Sequence, residues 1–184
     1  MLIFQLKVTL KRSKPPIWRR IQVRGDTTLG ALHDIIQISM GWTNSHLHQF
    51  IVGQTYYGEP HPDYGLEMND QDAAQLDEIV EKKKDRFVYE YDFGDGWEHV
   101  ILVEEVMEPD PDATYPRCVK GKRNCPPEDI GGIWGYAEFL EAIEDEDHPQ
   151  HAEYMDWIGG EFDPKAFDRE EVNEMLVNEM LKDI

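Results

Sequence analysis

The sequence predicts an α+β protein, and three observations predict it. Two alternating apolar runs, separated by a proline-bearing turn, open the chain. A stretch of helical period and a third alternating run follow. A second alternating pair, folded about Asp-Gly, then precedes a C-terminal part whose apolar residues recur at helical spacing.

Phe4, Leu6, Val8 and Leu10 alternate with Ile3, Gln5, Lys7 and Thr9, and Ile17, Arg19, Ile21 and Val23 form the second run. Period two means strand. "KRSKPP" between them supplies the turn, because Pro15 and Pro16 cannot donate to a central ladder. In "DTTLGALHDIIQISMGW" the period changes. Leu29, Leu32, Ile36 and Met40 fall on one helical face beside Ile35; Asp26, Thr27 or Thr28 can cap the start, and Gly41 can end the helix.

"HLHQFIVG" returns to strand, with His46, His48, Phe50 and Val52 on one face and Leu47 and Ile51 on the other. "GQTYYGEPHPDYG" reads as a loop holding a short strand at Tyr56 and Tyr57. "NDQDAAQLDEIVEKKK" reads as a helix with Ala73, Leu76 and Val80 in line. "DRFVYEYDFGDGWEHVILVEEV" is a hairpin, and "RCVKGKRNCPPEDIGGIWG" a loop. Three helices follow. The first places Tyr136, Phe139, Leu140 and Ile143 on one face, and the second is short. The third opens with Asp168 and Glu171 as a capping box and buries Val172, Met175, Leu176 and Leu181 or their neighbours.

A sheet begun by a hairpin and crossed by one helix suggests a β-grasp, ubiquitin-like mixed sheet: ββαβ, a second hairpin, then a C-terminal helical extension. The expected division is residues 1–108 for the core and 109–184 for the Cys/Pro/Gly loop and helices, packed on it as one unit.

The chain has 184 residues, 38 acids against 18 Lys and Arg, and a net charge of −20. No apolar run approaches the roughly 20 residues that span a bilayer, so no membrane partner is expected. Two cysteines, Cys118 and Cys125, make no disulfide framework, and a cytoplasmic setting is the expectation. Residues 1–25 hold seven basic residues and no acid. Lys11, Arg12, Lys14, Arg19, Arg20 and Arg24 could form a nucleic-acid arm; the simpler reading is a basic hairpin that satisfies the acidic remainder of its own chain.

"YDFGDGWEH" gathers two aspartates, a glutamate and a histidine around two glycines. Asp-Gly between alternating runs is a strong hairpin signal. Centring a two-residue turn on Asp95 and Gly96 sets Asp92 opposite His99. A three-residue turn would oppose Asp92 and Glu98, and like charges repel across a ladder. His46-x-His48 puts two imidazoles on one strand face. His46, His48, Asp92 and His99 are therefore the candidate ligands of a divalent metal, and with Asp95 and Trp97 the candidate binding pocket. No cofactor is established by the sequence. The spacing of Cys118 and Cys125 exceeds the C-x₂₋₄-C of zinc knuckles. Glu128, Asp129 and Asp95 could serve acid–base chemistry, although among 38 acids such proximity is cheap. Trp97, Tyr89, Tyr91 and Phe93 could stack bases but read more simply as a sheet face.

Taken together, "YDFGDGWEH", "HLHQF", "CPPEDIGG" with "WGY" and "FL", and "FDPKAFDREEVN" resemble the plasmid pRiA4b ORF-3-like family, in order and over nearly the whole chain. The resemblance implies a largely uncharacterised family, some of whose members carry transposon or mobile-element labels. The residues do not support a resolvase. The serines are Ser13, Ser39 and Ser45 alone, and no histidine is followed by arginine three residues on. In the family pattern the position of Ile130 is often cysteine, so this chain lacks that third sulfur.

The leading expectation is a non-catalytic binding or accessory module that offers the pocket around Trp97 and His99 to a protein or nucleic-acid partner. The alternatives are a metal-dependent hydrolase built on His46, His48, Asp92 and His99, and a nucleic-acid binder using the basic hairpin.

Overall fold

A computed structural model of the chain describes residues 1–60 and 68–180. Residues 61–65 of the expected loop, and Leu181, lie outside the described residues. The elements are β1 (Ile3–Leu10), β2 (Trp18–Arg24), α1 (Leu29–Met40), β3 (His48–Val52), β4 (Thr55–Gly58), β5 (Asn69–Asp70), α2 (Leu76–Ile79), β6 (Arg86–Tyr91), β7 (Trp97–Met107), β8 (Arg117–Lys122), α3 (Gly132–Glu144), α4 (His151–Ile158) and α5 (Arg169–Met180).

The strands form one sheet in the order β5-β4-β3-β6-β7-β1-β2-β8. The α+β class is therefore as expected. The sheet is mostly antiparallel and mixed only at one edge, in the short parallel pair β4–β5; a grasp-like arrangement about β1 is not seen, because β1 has antiparallel neighbours on both sides. The hairpin β6–β7 inserts between β1 and β3, so the strand after the helix does not reach the strand that began the sheet.

Alternation sets the buried face. Phe4, Leu6, Val8 and Leu10 on β1, and Tyr89, Tyr91, Trp97, Ile101 and Val103 on β6 and β7, are buried. They share one apolar core with Leu29, Leu32, Ile36 and Met40 of α1, and with Tyr136, Phe139, Val172 and Leu176 of α3 and α5. Of the three candidate caps of α1, Thr28 is the one used: its hydroxyl accepts from the Ala31 N–H. Gly41, left-handed at φ 99°, ends the helix. Asp168 caps α5 by accepting from the N–H groups of Glu170 and Glu171 at 2.9 and 3.1 Å.

Two elements differ from expectation. The helix over 69–84 shrinks to four residues, because its backbone bonds outward. Leu29 and Gly30 donate to Ala74 and Gln71, and Leu76 and Asp77 donate to Thr27 and Gly25, which stretches residues 71–75 along the start of α1. The cysteine loop contains β8, which extends the sheet beyond β2.

Candidate functional site

The β6–β7 hairpin carries the site, and its register is not the predicted one. Tyr91 faces Trp97, Glu90 faces Glu98 and Tyr89 faces His99, leaving Asp92–Gly96 as a five-residue loop. Two glutamates thus oppose each other, the arrangement that charge repulsion disfavours. Each has a partner from outside the hairpin. Lys11 pairs with Glu98, and the Gln49 amide donates to Glu90 at 2.6 Å.

Asp92 therefore does not sit beside His99. It starts the loop at φ 58°, and its Oδ1 accepts from the N–H groups of Gly94 (3.0 Å) and Asp95 (3.4 Å). This local turn leaves Oδ2 free to face His46. Asp95 is structural: its Oδ2 accepts from the Gly131 N–H at 3.1 Å, which fixes the turn into α3. Gly132 follows at φ 70°, and a Cβ there would lie 2.4 Å from the Asp95 carbonyl oxygen. No side chain caps α3 itself: its N-cap is Gly131, in the left-handed conformation.

That docking brings Asp129 to His46. His46 Nε2 lies 2.9 Å from Asp129 Oδ1 and 3.7 Å from Asp92 Oδ2. The ligand atoms of all three residues fall within 4.8 Å of one another. Nε2 is itself buried and meets hydrogen-bond geometry with no described residue. Asp92 and Asp129 both hold left-handed φ values, as does neighbouring Asn44, three of the six described non-glycine residues that do so. Such strained backbone persists where the surroundings over-determine it, and functional sites are a common place for it. Next to Asp129, Glu128 accepts from the Tyr91 and Thr43 hydroxyls. Burial, then the Glu128 carboxylate, push the Tyr91 phenol above its usual range. His46 also borders a cleft of about 470 Å³, lined with Ser45, Leu47, Glu59, Met68 and Phe93.

The other expected ligands lie elsewhere. His46 precedes β3, so the two imidazoles of His46-x-His48 do not share a face. His48 turns inward, stacks on His33 at 3.4 Å between ring centroids, and bonds Gln71 Oε1 at 2.7 Å. His33 in turn bonds the Tyr89 hydroxyl at 2.7 Å, and the Gln37 amide donates to the same oxygen. Burial, then the adjacent His48, lower His33 to about 3; burial lowers His48 as well. His99 and Trp97 are fully enclosed, so no open pocket surrounds them, and burial lowers His99 to about 4. Asp129, which completes the cluster, lay among the acids whose proximity the sequence made cheap; no spacing could single it out.

The basic residues are mostly engaged. Lys11 and Arg12 meet Glu98, Arg20 grips Glu104 through two nitrogens, and Arg24 pairs with Asp26. Arg19 is buried, donates to the Ser39 carbonyl at 2.6 Å and stacks on Phe167. Of the six, Lys14 alone has no partner among the described residues. Cys118 and Cys125 are free and buried, and burial raises both thiols. The Arg19 guanidinium acts on both, a poor neighbour for a metal cation.

Comparison with known proteins agrees with these motifs. The profile of the family described as plasmid pRiA4b ORF-3-like protein matches residues 2–171. The uncharacterized protein y4hQ of Sinorhizobium fredii (strain NBRC 101917 / NGR234) is 38% identical over 176 residues, covering 95% of this chain and 90% of its own. The crystal structure of a protein of unknown function, MM3350 from Methanosarcina mazei Go1, superposes with a TM-score of 0.84 at 35% identity, covering 92% of this chain and 97% of that one. No described helix is long and apolar enough to cross a membrane.

Proposed function

The chain belongs to the plasmid pRiA4b ORF-3-like family, and for this member of it we propose a binding or accessory module that works through a divalent cation held by His46, Asp92 and Asp129. One observation carries the reading. A buried imidazole nitrogen has no hydrogen-bond partner, and carboxylate oxygens from two separate loops lie 2.9 and 3.7 Å from it. The close Asp129 contact lies off hydrogen-bond geometry and leaves the buried nitrogen incompletely satisfied, and a cation between the three groups would satisfy all of them. One imidazole and two carboxylates suit zinc, manganese or ferrous iron. Three protein ligands leave coordination positions for a donor atom of a ligand entering the cleft.

Glu128 favours a second reading, metal-assisted hydrolysis. Its carboxylate is the residue next to a ligand and is oriented by two hydroxyls, as a general base must be. The mobile-element association has no such support. Ser13 is buried, donates to the Leu10 carbonyl and accepts from the Ile17 N–H. We read residues 1–108 and 109–184 as one working unit, because Asp129 comes from the second segment and its two partners from the first. Two free thiols support a reducing, cytoplasmic setting.

Metal analysis of protein made without a histidine tag tests the proposal. A stoichiometric ion is expected, lost in His46→Ala and in Asp129→Asn and kept in folded His99→Gln. Protein that takes up none of zinc, manganese or iron would remove the reading. Hydrolysis of generic ester or phosphoester substrates that ends with Glu128→Gln, with the ion retained, would select the enzyme over the module.

A further inference from the structure

A second hollow, about 370 Å³, lies between the β1–β2 turn and α3 and shares no lining residue with the cleft beside His46. Its floor is apolar, with Ile17, Ile133 and Leu140. Its rim is cationic, with Arg12, Lys14 and Arg123, and no acidic residue lines it. In a chain of net charge −20, this is a local reversal of sign. Lys14 and Arg123 have no ion-pair partner among the described residues, and Arg12 meets Glu98 only at 3.5 Å.

Two further observations point to a ligand. Tyr136 lines the hollow and is only 4% exposed, yet its buried hydroxyl has no hydrogen-bond partner. Burial pushes this phenol up to about 12, so it remains a donor at neutral pH. Trp134, on the same wall, is 79% exposed. A helix that buries its apolar face has no packing reason to present an indole to water, and aromatic rings recur where flat ligands stack.

We propose that this hollow binds a small organic anion, a phosphate or carboxylate head on a flat apolar body. The head meets Lys14, Arg123 and the Tyr136 hydroxyl, and the body lies on the Ile17–Ile133–Leu140 floor against Trp134. The volume is within the range of small-molecule pockets. The site is independent of the cation at His46.

Calorimetry and tryptophan fluorescence with phenyl phosphate, phenylacetate, inorganic phosphate and benzyl alcohol, in chelator at low salt, test it. Saturable binding of one aromatic anion is expected, at least about tenfold tighter than inorganic phosphate or the alcohol. Whichever aromatic anion binds more tightly identifies the head group. Arg123→Ala alters a half-buried group and Trp134→Ala an exposed one, and each should weaken binding about fivefold or more. Tyr136→Phe should weaken it while the thermal unfolding midpoint stays level or rises, because an unpaired buried hydroxyl is removed. His46→Ala should bind as the parent does. Absence of saturation at millimolar ligand, affinity unchanged in both Arg123→Ala and Trp134→Ala, or loss of binding in His46→Ala would each overturn the proposal.

Discussion

His46 and His48 are two residues apart and live in different worlds. His48 is the first residue of β3, so the pleat drives it into the core, where it stacks on His33 and joins a hydrogen-bonded layer with Tyr89, Gln37 and Gln71. His46 precedes the ladder, and the loop aims it at two aspartates. Alternation governs a side chain only once pairing has begun. The inner layer is built for stability and holds its histidines neutral, whereas in the outer cluster a buried nitrogen meets its carboxylates off hydrogen-bond geometry.

The sharpest way to break this contrast is to remove the centre of the inner layer. Tyr89→Ala should cost about 3–5 kcal/mol in chemical denaturation, through a lost buried ring and stranded partners. His46→Ala, measured without metal, should cost under about 1 kcal/mol. Similar costs for the two would dissolve the distinction.

Acid comes next. His33 and His99 titrate at about 3 and 4 in the fold and at about 6.5 when unfolded. The unfolded chain therefore binds more protons as pH falls. The stability from neutral burial is complete above about pH 6.5 and is lost progressively down to about pH 4 for His99 and about pH 3 for His33, on the order of 3 kcal/mol for His99 alone. Urea midpoints that stay level across that window would show these histidines to be accessible to protons.

Metal addresses only the outer cluster. At a hundredfold excess over its dissociation constant, manganese or zinc should stabilise the protein by about 2.7 kcal/mol. Asp129→Asn should abolish that gain, and folded His48→Gln should keep it. A gain that survives Asp129→Asn would move the cation elsewhere.

A smaller effect is expected at the hinge of the outer cluster. Gly132→Ala forces a Cβ against the Asp95 carbonyl at a left-handed φ, at a cost of about 1–2 kcal/mol. It should weaken metal uptake by shifting Asp129. Smallest of all, Lys11→Ala should change stability by under about 1 kcal/mol, because its pair with Glu98 is at the surface.

What the sequence made legible was local. The alternation of β1, the caps of α1 at Thr28 and Gly41, and the three C-terminal helices follow from period and end chemistry within a few residues. The hairpin register was not legible, because it depends on residues outside the two strands. Lys11 and Gln49, which reconcile Glu90 with Glu98, arrive from elsewhere in the chain. Of the candidate site, His46 and Asp92 were legible as members of one ligand set, while the other two members of that set, His48 and His99, are buried elsewhere. Asp129 enters only because Asp95 anchors the turn before α3, a contact between distant loops that no periodicity encodes.

The place of β1 has a consequence for how the molecule is made. It lies in the interior of the sheet, with Ile3 opposite both Arg24 and Met107. The β1–β2 hairpin can close early, but its other edge waits about a hundred residues of synthesis for β7. Contacts so far apart slow folding, because loop closure precedes its reward. Until β7 pairs with it, the β1 edge of that hairpin is unpaired, and the seven basic residues of positions 1–25 would set like charge against like charge if two such ribbons met edge to edge.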